Sequence, residues 1–365
     1  MGLSILNIAT EKAVHNWNHF ILENDHGMTV GVLDYGGILT HICAPDVRGH
    51  SANVVLGYEN FEDYKENPNY FGAIIGRVAG RIKDATFQLE DQTFSLEKNE
   101  GDNHLHGGTE GFSHVIWEAE PFEKTDTVGV KLTHTSPDGT GGYPGKVVTT
   151  VTYTLGNDNT LTVTYEAETD QPTPLALTNH TYFNLRGDLV DTIDTHQVQI
   201  PSGTITELDE NLLPTGRQMP VAGTPLDFRN GRELKDGLGQ ETSHAPGTKE
   251  AARQLNIAGN GYDHYFLFNE GEQQHRIFVQ EPVNGRTMTI ETDQPGMVMY
   301  TANGLDEGLA LNGGMSKKHL GVCFETQAHP GALHHNGFPG IILKPGELYQ
   351  KQTSFKFGVA PEREG

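Results

Sequence analysis

The stretch VVTTVTYTLGNDNTLTVTYEA, residues 147–167, decides the fold. Val147, Thr149, Val151, Tyr153 and Leu155 recur with period two and so share one face of an extended segment. Gly156-Asn157-Asp158-Asn159 supplies turn residues. Leu161, Val163, Tyr165 and Ala167 then return on one face. The other face is rich in Thr, and β-branched residues suit a pleated, half-buried surface. The stretch reads as a long antiparallel hairpin with one face in the core.

The same alternation extends outward. Thr86–Glu90 and Thr93–Leu96 form a second hairpin across Asp91-Gln92. Ile277–Gln280, Thr287–Glu291 and Met297–Thr301 continue the pattern. Near the end, Ile341–Leu343 is expected to pair with Tyr349–Phe357 across Lys344-Pro345-Gly346-Glu347. Closely spaced strands separated by Gly, Pro and Asn predict an all-β chain built as a large antiparallel β-sandwich, and argue against βαβ units. Helical signal is sparse: one short helix is expected in Asn60–Asn67, and a second, poorly periodic one in Gly237–Leu255. The polar run Asp236–Ala252 reads as a surface loop or insertion. No composition shift or fixed repeat divides the chain, so one domain over residues 1–365 is expected.

Composition narrows the function classes. The chain has 365 residues, with 25 Lys+Arg against 48 Asp+Glu and a formal charge of −23. About three-quarters of the unfolded surface of such a chain can be buried, enough for a large core without covalent staples. The acidic balance argues against nucleic acid or an anionic membrane as partner, since these need clustered cations. No apolar run of about 18 residues exists to span a bilayer as a helix. The start, MGLSILNIATEKAVHNWNHF, lacks a basic region and carries Glu11 and Lys12, unlike a secretory signal. Cys43 and Cys323 lie far apart in apolar contexts and read as reduced thiols, which fits a cytoplasmic enzyme.

Four segments place titratable side chains outside the alternating pattern. In Asn103-His104-Leu105-His106-Gly107-Gly108, a His-x-His pair on a strand puts both imidazoles on one face, an arrangement metal sites use. Glu110 follows with spacing similar to the first motif of cupin metal barrels, although Lys98 and Trp117 stand where that motif expects glycines. Gly107-Gly108 also implies a turn, after which only one histidine need face inward. Thr178-Asn179-His180-Thr181-Tyr182-Phe183 holds a histidine in a semi-buried strand. Burial alone lowers its pKa, so a working acid needs a carboxylate nearby. Gly261-Tyr262-Asp263-His264-Tyr265 sets an Asp among aromatics. In Val322-Cys323-Phe324-Glu325-Thr326-Gln327 the carboxylate is either buried and paired or a strand-end group that has reached solvent.

Together with Gly76-Arg77-Val78-Ala79-Gly80-Arg81-Ile82, these segments resemble the aldose 1-epimerase (galactose mutarotase) family. The resemblance runs from about Tyr35-Gly36-Gly37 to Phe355-Lys356-Phe357. It takes in Val55-Leu56-Gly57-Tyr58, Gly111-Phe112, Gly142-Tyr143-Pro144-Gly145 and Leu226-Asp227-Phe228-Arg229. It implies that family's β-supersandwich and an isomerase interconverting the α and β anomers of free hexoses such as galactose and glucose. It also implies Glu325 as general base at O1, His180 as general acid at the ring oxygen, and Arg81, His106 and Asp263 as sugar-binding residues. Glu325 and His180 are expected to support each other's charged state. Tyr262 and Phe324 are candidates to stack on a sugar face. The family usually has Asn-Arg where this chain has Gly80-Arg81. The resemblance implies a small-molecule aldose as partner, with no metal and no other cofactor, and the chain is expected to act as a monomer or homodimer. The other readings are a hexose-6-phosphate epimerase, a non-catalytic carbohydrate-binding relative, a cupin-like metal enzyme, and a glycosidase using Asp263 with Glu325.

Overall fold

The structure, a computed structural model, describes residues 4–9, 15–187, 189–239, 249–268 and 275–360. Strands Val147–Gly156 and Thr160–Thr169 form the expected hairpin, with Leu155 opposite Leu161 and Val147 opposite Thr169. The inward residues of both strands are buried. This hairpin lies inside a nine-stranded antiparallel sheet. Thr127–Ser136 pairs with its first strand and Tyr349–Val359 with its second. Arg286–Thr292 and His275–Gln280 extend the sheet beyond Tyr349–Val359.

A six-stranded sheet faces it, in the spatial order Tyr182–Phe183, Val322–Gln327, Gly296–Tyr300, Asp263–Leu267, Thr204–Leu208, Pro214–Pro220. One contiguous core joins the two sheets: Val151, Val163 and Phe355 from the first meet Met297, Met299, Phe324 and Phe266 from the second. Each such buried side chain contributes about 1.5–3 kcal/mol of hydrophobic stabilisation before entropy is counted. A five-stranded meander from Ser4–Ala9 to Ser51–Asn53 adds Phe20, Val30 and Ile42 to the same core. This is the all-β antiparallel architecture that the alternation predicts.

Several local expectations are corrected. The Lys344–Glu347 turn does not join a hairpin: Ile342–Leu343 pairs with Thr173–Pro174, while Tyr349–Val359 lies between two strands of the large sheet. The strand expected at Met297–Thr301 is Gly296–Tyr300, and it lies in the six-stranded sheet between Asp263–Leu267 and Val322–Gln327. The hairpin near residue 90 is Thr86–Leu89 with Gln92–Ser95, turning at Glu90-Asp91. In Asn60–Asn67 only a 3-10 turn, Phe61–Lys65, forms, and its Tyr64 hydroxyl accepts the Tyr58 N–H.

In the second helical region, the helix is Lys249–Ile257, so Lys249–Ala252 is not loop. Ala251 and Leu255 bury its inner face. Gln254 exchanges two hydrogen bonds with the backbone of Leu208, at 2.9 Å each, which bolts the helix to the six-stranded sheet. Residues 240–248, the centre of the expected polar loop, lie outside the described residues. Cys43 and Cys323 are both free thiols, the second buried and the first partly exposed.

Candidate active site

Strand Val322–Gln327 sorts its side chains by period two. Val322 and Phe324 enter the core, and Thr326 Oγ1 meets Thr353 Oγ1 of the large sheet at 2.7 Å. Cys323, Glu325 and Gln327 therefore face the other way. Register sets Tyr182 and Tyr300 on either side of Cys323, Val298 beside Glu325, and Gly296 beside Gln327. Asp263 lies beside Tyr300, and Tyr265 beside Val298. Rows of side chains on this one sheet face make the floor of a cleft of about 430 Å³, within the about 300–1,000 Å³ typical of small-molecule sites. Glu325 is inside the strand and 3% exposed, so it is not a carboxylate that has reached solvent.

His180 comes from the junction between strands Thr178–Asn179 and Tyr182–Phe183. Its N–H donates to Ala73 O at 2.9 Å and its carbonyl accepts the Gly72 N–H at 3.0 Å. The Asn179 amide braces the same turn through Gly72 O and the Tyr153 hydroxyl. The imidazole is buried rather than half-buried, with Nε2 3.6 Å from Glu325 Oε1 and Nδ1 3.5 Å from Cys323 Sγ.

Arg81 and His106 arrive on a two-residue ladder in which Leu105 opposes Arg81 and His104 opposes Ile82. His106 leaves that ladder at φ 54, followed by Gly107 at φ 90 and Gly108 at φ 76. A Cβ on Gly107 would lie 1.8 Å from the Gly76 carbonyl oxygen, so only glycine permits the turn. The turn sends His106 into the cleft, its ring centroid 5.3 Å from that of His180. His104 goes elsewhere, with Nδ1 2.7 Å from Glu97 O and its ring edge-on to Tyr143. Glu110 is exposed and accepts the Gly141 N–H. The cupin-like set of His104, His106 and Glu110 is therefore not assembled. Among the described residues, His106, His180 and Glu325 are the group able to hold a metal ion, with ligand atoms within 4.8 Å of one another.

The guanidinium of Arg81 is more committed than the sequence implies. Nε and Nη2 hold the two oxygens of Glu100 at 2.7 Å, and Nη1 is 3.9 Å from Asp263 Oδ2. Only the Nη1 side of the fork points toward the cleft. Tyr262 and Phe324 are not stacking candidates. Both are buried in the core, because alternation turns them away from Asp263 and Glu325, and Tyr262 donates its hydroxyl to Pro225 O. The aromatic walls are instead Tyr70, Tyr182, Tyr265 and Tyr300. Tyr70 sits at φ 54 with its ring centroid 4.9 Å from that of His106.

Burial dominates the electrostatics. It pushes His180 down to about 4. His106 is lowered well below its usual value, first by burial and then by repulsion from the Arg81 cation and from any proton on His180. His106 Nδ1 accepts the Gly80 N–H at 3.2 Å, so its proton sits on Nε2. Glu325 is raised well above the ordinary carboxylate range by burial and by Asp263, against the pull of Arg81. Asp263 is itself raised by burial, opposed by Arg81. The expected mutual support of two charges is thus outweighed by desolvation. Burial therefore favours the carboxyl over the imidazole as the place for a proton shared by the Glu325–His180 pair.

Glu100, Tyr70 and Gln327 are site residues that the sequence reading missed. Gln327 had a readable signal, since it follows Glu325 by two positions on a strand. Glu100 and Tyr70 had none, because Glu100 meets Arg81, and Tyr70 the cleft, through non-local packing.

A family model described as Aldose 1-epimerase matches residues 18–356. The galactose mutarotase of Homo sapiens is 39% identical over 343 residues, covering 93% of this chain and 94% of that protein. The maltose epimerase of Levilactobacillus brevis is 34% identical over 339 residues, covering 93% and 94%. Among solved structures, galactose 1-epimerase from Lactobacillus acidophilus NCFM superposes with a TM-score of 0.84 at 29% identity, covering 98% of this chain and 100% of that one.

Proposed function

This chain belongs to the aldose 1-epimerase family, and from that premise we propose how its cleft interconverts the α and β anomers of a free hexose such as galactose or glucose. The enzyme is a mutarotase, an isomerase acting on carbohydrate. In the proposed course, Glu325 as carboxylate takes the proton from the C1 hydroxyl while His180 as imidazolium gives its Nε2 proton to the ring oxygen. The C1–O5 bond breaks, its electron pair leaves with O5, and C1 becomes an aldehyde. Rotation about C1–C2 exposes the other face, and closure reverses both transfers.

The observation that carries this reading is the 3.6 Å approach of His180 Nε2 to Glu325 Oε1 on the cleft floor. That gap suits two groups serving two oxygens bonded to one carbon. Opening converts carboxylate plus imidazolium into carboxyl plus neutral imidazole. The protonation that burial favours is therefore that of the aldehyde stage, and sugar hydroxyls stabilise the charged pair at the start. His106 Nε2–H donates to a sugar oxygen, and Arg81 Nη1 and Asp263 hold the remaining hydroxyls. This proton traffic requires no cofactor.

A neutral sugar fits better than a sugar phosphate. Arg81 is the one Lys or Arg among the described lining residues, it is already bound by Glu100, and a dianion would face Asp263 and Glu325. We read the chain as one catalytic domain working in the cytoplasm as a monomer or homodimer. The free thiols of Cys43 and Cys323 support a reducing compartment, and no described helix is long and apolar enough to cross a membrane. Polarimetry on fresh α-galactose, α-glucose and glucose 6-phosphate tests the substrate class. Faster anomerisation of the free hexoses is expected, and a preference for the phosphate would overturn the assignment.

A further inference from the structure

Gln327 is fully buried, lines the cleft, and has neither its amide nitrogen nor its amide oxygen hydrogen-bonded among the described residues. Leaving such a group unpaired costs about 1–3 kcal/mol, so an orphaned carboxamide in a native core calls for a partner. Its backbone is firmly placed: the carbonyl accepts the Tyr265 hydroxyl at 3.1 Å, and the residue pairs with Gly296. Gly296 lets that Tyr265 ring lie across the strand, since a Cβ there would meet it at 2.3 Å. The orphaned atoms are thus not the result of a loosely placed strand end.

Two features direct the amide to the substrate. Gln327 shares its sheet face with Glu325 and lies two residues further along, about 7 Å at the strand's rise. That separation is comparable to the span of a pyranose ring with its hydroxyls, measured from the anomeric oxygen that Glu325 serves to the far side of the ring. The second feature is Gly80, which lines the cleft at φ 81. A Cβ on Gly80 would lie 3.8 Å from Gln327 Nε2 and 3.3 Å from Pro330 Cβ, so a side chain there would pack against the buried amide, and glycine leaves that place unfilled.

We propose that Gln327 is a specificity-determining residue whose carboxamide pairs with a sugar hydroxyl on the side of the ring remote from C1. An amide donates and accepts at once, as a hydroxyl does, so both members of such a pair are satisfied. The terminal torsion, broad for glutamine, lets either amide atom face that hydroxyl. This rests on the mutarotase reading for the identity of the ligand but not on turnover for its test.

The test is sugar binding by calorimetry, with KM and kcat alongside, for the parent and Gln327→Met. Galactose, glucose and their 3-, 4- and 6-deoxy analogues serve as ligands. Methionine keeps the volume and removes the polar atoms. The expected result is a five- to tenfold weaker Kd and higher KM for the sugar whose hydroxyl is contacted, with kcat within about twofold. For the deoxy analogue lacking that hydroxyl, parent and variant should bind alike. Thermal stability should be unchanged or higher, because no hydrogen bond from the amide to a described residue is lost. A purely structural role predicts the reverse, so loss of the fold or a lower Tm overturns the proposal. Equal affinities of parent and variant across the whole set also overturn it, and leave the mutarotase reading intact. Failure of the parent to anomerise any hexose would defeat that reading, while the binding comparison still decides the role of Gln327.

Discussion

Removing either proton carrier of the pair should abolish most of the activity, and removing both should cost little more. Glu325→Gln and His180→Asn each delete one positioned proton transfer, worth about 10²- to 10⁴-fold in rate, or about 3–5 kcal/mol of barrier. Independent contributions would multiply to about 10⁴- to 10⁸-fold. The 3.6 Å separation makes the two groups ends of one transfer through the sugar, so neither retains its use without the other. The double variant should therefore lie within about tenfold of the slower single one, as groups acting as a unit do. Initial rates by polarimetry on fresh α-galactose, corrected for spontaneous mutarotation, read all three variants. A double-variant loss equal to the product of the single losses, or a single variant within tenfold of the parent, would refute the pairing. Stability supplies a control of known sign. The folded-state pKa of Glu325 is raised by burial, so the group penalises the fold as pH rises above its unfolded value of about 4.3. Glu325→Gln should thus melt at a higher temperature than the parent at neutral and alkaline pH, and at about the same temperature near pH 4. A lower Tm at pH 8 would mean that activity was lost through misfolding.

The remaining predictions concern protons. Activity requires one proton on the pair, so kcat/KM falls at high pH when Glu325 loses it; Asp263 raises that pKa and Arg81 lowers it. Asp263→Asn should therefore shift the alkaline limb to lower pH, besides raising KM, and an unmoved limb would contradict the assignment. Acid should unfold the protein early. His19, His41, His180, His196, His264 and His329 are pushed down to about 3–4 chiefly by desolvation, and His106 is lowered well below its usual value in the same way. Their stabilising effect is present above the usual histidine pKa and is lost as pH falls from about 6.5 to about 4. Unfolding near pH 5 then takes up as many as seven protons, partly offset by release from the raised carboxyls of Asp34, Asp263 and Glu325. A net uptake of about four protons gives a loss of about 5 kcal/mol per pH unit. Urea midpoints unchanged between pH 7 and pH 5 would rule this out.

Period-two patterning was enough to identify the all-β class, the 147–167 hairpin and its buried face. That information is local: which face of a strand is apolar depends only on neighbours two residues away. Partner choice is not local. The Pro-Gly turn at residues 345–346 looks like a hairpin turn, yet the long strand after it pairs with Thr160–Thr169 and Arg286–Thr292, distant in sequence. Gly107-Gly108 correctly signalled a turn that separates His104 from His106. It could not say which imidazole the turn would send into the cleft.

The sequence also pointed to the proposed acid–base pair, because the segments around Glu325 and His180 resemble the family's motifs residue by residue. Their protonation was decided only by the tertiary structure. Burial is a property of the assembled sheets, and here its cost exceeds the attraction between two adjacent groups, so it favours the neutral form of the pair. The commitment of Arg81 to Glu100 and the orphaned amide of Gln327 arise in the same way. A hydrogen bond made or missed depends on which backbones the fold brings together, and sheet register, rather than residue type, sets that.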